Sequence, residues 1–210
     1  MIINGKVYFI HIPRTGGRYI KNLVMDSGFS GDTNAWRPEK VLCGIHIPHL
    51  HYPLYEMIEG VSVLPSFTVI REPFERLQRI ISYELKRDDK SKIKIDDIKG
   101  ESSFYNFIEC HRRKNSFVNN WYRPQYEFIS RKTKLWKYEW GLGNDFRWWI
   151  DKLFNVKLKD MDNVTNYFYE CASLIRTKID PVEKCDISFL KPYVEKYYNK
   201  DYELWESIEK

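Results

Sequence analysis

The sequence predicts an α/β domain: a central parallel sheet flanked by helices, with a largely helical C-terminal half. Three features of the chain lead there. A short apolar run, Val7-Tyr8-Phe9-Ile10, passes into a glycine-bearing loop and then into a helical pattern. The same order returns at Phe67-Thr68-Val69-Ile70, followed by a charged loop and a second helical pattern. Further along, Asn144 to Phe154 and Phe189 to Ile208 both read as helices. At 210 residues the chain fits one domain, residues 1–210, large enough for a real core.

Each element has its own signal. After the first run, Ile20, Leu23, Val24 and Ser27 fall at helical spacing, and Gly28 is placed as a C-cap. From Phe29 to Pro65, recurrent Gly and Pro predict loops with short elements. After the second run Pro73 sits where a first-turn proline belongs, and Phe74, Leu77, Ile81 and Leu85 mark one helix face. Lys86 to Lys99 mixes charges of both signs and reads as a solvated loop. Phe104, Phe107 and Ile108 predict a helix capped by Ser102 or Ser103.

Composition narrows the function. Hydrophobic residues at 43% describe an ordinary globular chain, and 15 Tyr, 12 Phe and 7 Trp supply an aromatic excess for core or ligand stacking. A formal charge of +5 suits an anionic ligand. The pI near 8.8 falls short of that of a dedicated nucleic-acid binder, so no nucleic-acid partner is expected. Cys43, Cys110, Cys171 and Cys185 form no C-x-x-C pair and read as buried thiols of a reducing compartment. The first residues lack the apolar core of a signal peptide, and no stretch is long enough for a membrane span. A soluble, cytoplasmic protein is the expectation; the oligomeric state is not legible.

The first loop carries the chemistry. A strand running into glycines at a helix start makes an anion site, because unpaired N–H groups and the helix dipole face the ligand. Gly16 and Gly17 let a phosphate approach the backbone, Thr15 adds a hydroxyl donor, and Arg14 and Arg18 add permanent charge. The loop is not a Walker A sequence: Gly17 is followed by Arg18-Tyr19 and no glycine stands five residues before it.

The string Phe9-Ile10-His11-Ile12-Pro13-Arg14-Thr15-Gly16-Gly17 resembles the H-I-P-K-T-G-G-T motif of carbohydrate sulfotransferases that use 3′-phosphoadenosine 5′-phosphosulfate (PAPS), the group containing the heparan sulfate 2-O-sulfotransferases. Thr68-Val69-Ile70-Arg71-Glu72-Pro73-Phe74-Glu75-Arg76-Leu77 is similar to that family's T-V-[LI]-R-[DE]-P-[VF]-E-R-L segment. Arg123-Pro124-Gln125, Lys137-Tyr138-Glu139 and the stretch Tyr198 to Trp205 resemble later family segments, in order. The resemblance implies a P-loop-like sulfotransferase fold, PAPS as co-substrate and 3′-phosphoadenosine 5′-phosphate (PAP) as product, with no metal. It implies that Arg14, Thr15, Gly16, Gly17, Arg18 and Tyr19 hold the 5′-phosphosulfate, with Arg14 at the leaving group, and that Arg71 grips the 3′-phosphate. Arg14 replaces the family lysine. The family serine eight residues after the second-motif arginine is here Arg79, with Ser82 one turn on; Arg79 is the first choice for the 3′-phosphate and Ser82 the second. Arg71 and Arg76 also admit a helix-start ion pair with Glu72 or Glu75; Arg76 is assigned a structural role. Arg123 and Gln125 are candidates for nucleotide or acceptor contact.

Sulfuryl transfer needs a base for the acceptor hydroxyl, and histidine titrates in the right range. His11 belongs to the loop. His46, His49 and His51 lie between the two motifs, where the related enzymes carry their catalytic histidine; His46 is the first choice, then His49, then His51. As metal ligands the three lack a carboxylate nearer than Glu56, and Pro48 and Pro53 prevent one helical face. The expected acceptor is a hydroxyl on a glycan or small saccharide. The rivals are a non-catalytic module binding nucleotide or sulfated or phosphorylated glycan, and a degenerate P-loop kinase, for which neither a Walker lysine nor a magnesium carboxylate is found.

Overall fold

The computed structural model describes residues 1–29, 41–42, 45–46, 49–86, 94–115, 120–159 and 185–210. The chain opens on a hairpin in which β1 (Ile2–Ile3) runs antiparallel to β2 (Val7–Phe9). Asn4 and Gly5 turn between them at φ 50° and 65°. With Ile3 opposite Val7 the loop has three residues, Asn4 to Lys6, closed by the Lys6 N–H donating to the Ile3 carbonyl at 3.0 Å, and Asn-Gly supplies the two positive φ values that the turn needs. Helix α1 (Gly17–Asp26) follows, burying Ile20, Leu23 and Val24, and Gly28 ends it at φ 77° as expected. A small antiparallel pair, β3 (Val41–Leu42) and β4 (Ile45–His46), sets Val41 opposite His46. The expectation of loops over the neighbouring residues 30–40 lies outside the described residues.

β5 (Ser66–Ile70) pairs in parallel with β2 and, on its other side, with β6 (Thr133–Lys137). The order β1-β2-β5-β6 makes the sheet mixed. The parallel sheet expected from sequence is therefore corrected: its three parallel strands carry an antiparallel edge strand, contributed by the Asn4-Gly5 hairpin. Every residue of β5 is buried, as a central strand covered on both faces requires.

Alternation along the strands feeds two cores. Val7, Phe9, Phe67 and Val69 face α1 and α4 (Asn144–Phe154), meeting Ile20, Phe146 and Phe154. Tyr8, Ile10 and Ile70 face the opposite way, toward Leu50, Tyr55 and Phe128. A third core lies between helices: Leu77 and Ile81 of α2 (Pro73–Lys86), Phe104 and Ile108 of α3 (Glu101–Asn115), and Val194 of α5 (Lys191–Tyr197).

Three boundaries differ from expectation. α3 begins at Glu101, with Gly100 before it at φ 100°, so Ser102 and Ser103 lie inside its first turn. The single helix expected over Phe189 to Ile208 is a short turn, Ser188–Leu190, then α5 and α6 (Asn199–Glu206), broken at Tyr198. Tyr198 is buried at that joint and donates to the Tyr122 carbonyl, so packing overrides the helical period. The Lys86 to Lys99 stretch is more than a solvated loop at its end, where Ile98 inserts into the helical core. Of the four cysteines, Cys110 is exposed and Cys185 half-buried, which corrects the buried-thiol expectation for Cys110. Among the described residues no helix is long and apolar enough to cross a membrane.

Candidate functional site

β2 and β5 are parallel neighbours, and each runs out into a loop and then a helix. Their two loops therefore emerge at the same edge of the sheet, where open α/β sheets bind ligands. A cleft of about 430 Å³ opens there. Four arginines line it, Arg14 and Arg18 from the first loop and helix, Arg71 and Arg79 from the second. Gly16, Gly17 and Tyr19 bring the N-terminus of α1 to the same wall. No acidic residue stands in the first turn of α1, so its dipole is unopposed from within the helix.

Backbone geometry shapes the loop. Gly16 caps α1 at φ 93°, and a Cβ there would lie 2.8 Å from Leu142 Cδ1. Glycine is thus required both by conformation and by space. Arg14 takes a left-handed φ of 70°, uncommon for a residue with a side chain. Its guanidinium lies 3.6 Å from the ring centre of Tyr83 and 4.7 Å from that of Trp121. The two rings are themselves edge-on at 5.3 Å. Burial draws the Arg14 guanidinium down from its ordinary pKa, opposed by the Tyr83 hydroxyl beside it. A cation held against aromatic faces and partly stripped of water has much to gain from an anion. Thr15, expected as a hydroxyl donor to the ligand, is fully buried and its hydroxyl donates to the Ile12 carbonyl at 2.8 Å, bracing the loop from behind.

Arg71, from the second motif, is held by three neighbours. Its Nη1 donates to the Arg14 carbonyl at 3.4 Å, its Nη2 lies 3.5 Å from Glu75 Oε2, and its guanidinium sits 4.4 Å over the Tyr138 ring. The ion pair with Glu75 and the place on the cleft wall are thus compatible. Burial lowers the Arg71 pKa as well. The Arg71 peptide is gripped by one side chain: its N–H donates to Gln125 Oε1 at 3.0 Å and its carbonyl accepts from Gln125 Nε2 at 2.7 Å. Gln125 is fully buried, so it supports the arginine rather than touching a ligand. Arg123 pairs with Glu127 and donates to Asn120 Oδ1, and it too is off the cleft wall.

Arg79 and Ser82 separate cleanly. Arg79 lines the cleft. Ser82 is buried, donates to the Gln78 carbonyl at 2.6 Å and accepts from the Cys185 N–H at 3.0 Å, so it ties the Cys185 segment to α2. Arg76 has the structural role assigned to it. Its guanidinium is buried and donates to three carbonyls: Pro13 at 3.0 Å, Arg123 at 3.0 Å and Trp121 at 2.7 Å. One side chain thereby joins the first loop to the segment that carries Trp121 and Gln125.

The four histidines of the two motifs and the interval between them divide in three. His46, the expected base, lies on β4, and its side chain falls outside the described residues. His11 and His49 both line the cleft, with ring centres 5.0 Å apart. Burial first, then His49, the N-terminal amine, Arg14 and Arg18, hold His11 well below the usual histidine pKa, so it is neutral at pH 7. His51 is off the cleft wall, beside Phe128 and Asn120, with its pKa pushed down to about 4 by burial and by Arg123. The buried Asn120, a residue sequence reasoning passed over, donates to the His49 carbonyl at 2.9 Å.

A second cavity of about 670 Å³ shares Gly16, Tyr19 and Arg71 with the first. It extends toward Tyr138, Leu142 and the carboxylates of Glu75 and Glu139. One cavity is cationic; its neighbour is bordered by aromatic, aliphatic and acceptor groups. No family model, no curated protein and no solved structure matches this chain.

Proposed function

We propose that this protein is a sulfotransferase that moves a sulfuryl group from PAPS to a hydroxyl acceptor, a saccharide in the first instance. The observation that carries the reading is the convergence of Arg14, Arg18, Arg71 and Arg79 with the N-terminus of α1 in one cleft. That is more cationic and hydrogen-bond-donating capacity than a single phosphate requires, and it suits an anion with two separate phosphate-bearing groups. In this reading the adjoining cavity takes the nucleoside, with Tyr19 and Tyr138 for stacking and Glu75 and Glu139 as acceptors for an exocyclic amine. The likeness of both motifs to the PAPS-dependent family adds the sulfuryl identity, which guanidinium groups alone cannot specify.

In this reading PAPS supplies a sulfur activated by its phosphate leaving group. Gly16, Gly17 and the α1 N–H groups receive the 5′ end, while Arg71 and Arg79 hold the 3′-phosphate. An imidazole takes the proton from the acceptor hydroxyl as its oxygen bonds to sulfur and the sulfur–oxygen bond to phosphate breaks. Arg14, fixed by Tyr83 and Trp121, stabilises the electron pair left on the phosphate oxygen, which is electrostatic preorganisation. Of the two described imidazoles on the cleft wall, His11 and His49, the reading takes His49 as the base; His46 is the rival carried from sequence. His11, kept neutral, orients the loop.

Calorimetric titration with PAP tests the reading. A Kd of about 10 μM, near −7 kcal/mol, is the expected scale; no heat at near-millimolar PAP removes the reading. Transfer from radiolabelled PAPS to a panel of saccharide hydroxyls then separates enzyme from binding module. His49→Ala and His46→Ala identify the base as the variant that keeps PAP affinity and loses transfer.

A further inference from the structure

The grip on Arg71 continues to a carboxylate that the cleft never sees. Asp201, on α6, is fully buried. Its Oδ2 accepts from the Gln125 N–H at 2.8 Å and its Oδ1 from the Tyr126 N–H at 2.9 Å. Gln125, its peptide so fixed, closes its side-chain amide on both polar atoms of the Arg71 peptide. Arg71 is the first residue beyond β5, so the placement of its Cα decides where its guanidinium enters the cleft. The connection thus runs from a C-terminal helix, through one peptide and one amide, to a cleft arginine. Asp201 itself lines neither cavity.

The residue type fits the task. Two adjacent peptide N–H groups point at one side chain, and only a carboxylate presents two acceptors to them. An asparagine there would turn an N–H₂ toward one donor. Buried aspartates are uncommon because desolvation is costly, so this one calls for a compensating purpose. Among the described residues, Arg76 from α2 favours the carboxylate, Glu127 from the neighbouring turn opposes it, and the Tyr198 and Tyr126 phenols lie near. Burial outweighs the rest and pushes Asp201 up to about 6.

We propose that Asp201 is a positioning residue for the anion cleft, acting through Gln125 to fix where Arg71 presents its guanidinium. Its consequence for PAP affinity rests on the nucleotide reading above; the placement of Arg71 does not. The full-length chain is compared with Asp201→Asn, Gln125→Leu and the double variant. Amide hydrogen exchange at Arg71, followed by NMR, reads the relay without any ligand. Each single variant is expected to speed that exchange about tenfold, with the β2 and β5 core amides unchanged. PAP binding is expected to weaken about tenfold in each single variant and no further in the double, since residues acting through one another do not add.

Unchanged exchange at Arg71 in Asp201→Asn overturns the proposal, as does full additivity in the double variant. If Asp201→Asn does not fold, the wild-type protein answers instead. Arg71 protection, corrected for intrinsic exchange, should fall as pH drops through about 6, together with the Asp201 carboxyl signal; protection indifferent to that titration overturns the proposal equally. Faster exchange in Asp201→Asn, in a protein that binds no PAP, supports the relay and removes only the nucleotide reading.

Discussion

The His11 ring occupies the space that a side chain on Gly17 would need: an ideal Cβ at residue 17 falls 1.9 Å from His11 Cδ2 and 2.1 Å from its Nε2. The imidazole lies directly against the first residue of α1, which leaves no room for a side chain there. Gly17→Ala must therefore move the ring or the helix. The expected result is a PAP affinity at least tenfold weaker, with an overpacking cost of about 1–3 kcal/mol in thermal or urea unfolding. Calorimetry and an unfolding curve on the same sample check both.

Arg79 and Ser82 make a matched pair of variants to test the proposed 3′-phosphate contact. Arg79→Ser should weaken PAP binding by about tenfold or more, the loss of a charge-assisted hydrogen bond. Ser82→Ala should leave PAP binding within about twofold while costing roughly 1 kcal/mol of stability, because the Cys185 N–H loses its acceptor. The reverse pattern would assign the phosphate to the serine.

Arg14 differs from a lysine in being stacked. Arg14→Lys keeps the charge but gives up the planar contact with Tyr83 and Trp121, worth about 0.5–2 kcal/mol. If the guanidinium meets the leaving phosphate, kcat should fall by about tenfold with KM for PAPS little changed. A loss confined to KM would make Arg14 a ground-state binding group.

Asp201 and His11 pull stability in opposite directions with pH. The folded pKa of Asp201, about 6, lies above its ordinary 3.8, so between these values the folded protein binds more protons than the unfolded chain. Its contribution grows as pH falls from about 6 toward 4 and is lost as pH rises back. His11 is held below its ordinary 6.5, so its contribution is present above that pH and is lost as acid charges the ring in the unfolded chain. The difference in unfolding free energy between wild type and Asp201→Asn isolates the first effect: it should shift toward the wild type on acidification from pH 6.

Much of this site was legible in the chain because its signals are local. An apolar run entering a glycine loop announces itself within ten residues, and both loops lie where their strands predict. Asp201 stood inside the Tyr198 to Trp205 segment that resembles a family motif, but that stretch read as packing, and the partners of the carboxylate lie 75 and 76 positions away. Gln125 drew attention as a possible ligand contact, yet its amide closes on the Arg71 backbone, a pairing across 54 positions that no periodicity encodes. The antiparallel edge strand is another matter. Asn4-Gly5 is a strong hairpin signal, overlooked because the strand before it has only two residues.

Arg76 joins the Pro13, Trp121 and Arg123 carbonyls, and a guanidinium keeps its proton across any pH a protein survives. That fastening has no acid-labile part. The Gln125 fastening, only two residues along the same segment, ends on a carboxylate that titrates. Segment 121–126 is thereby fastened at two points, one through a permanent cation and one through a carboxylate, and under the proposed relay acidification would loosen only the second.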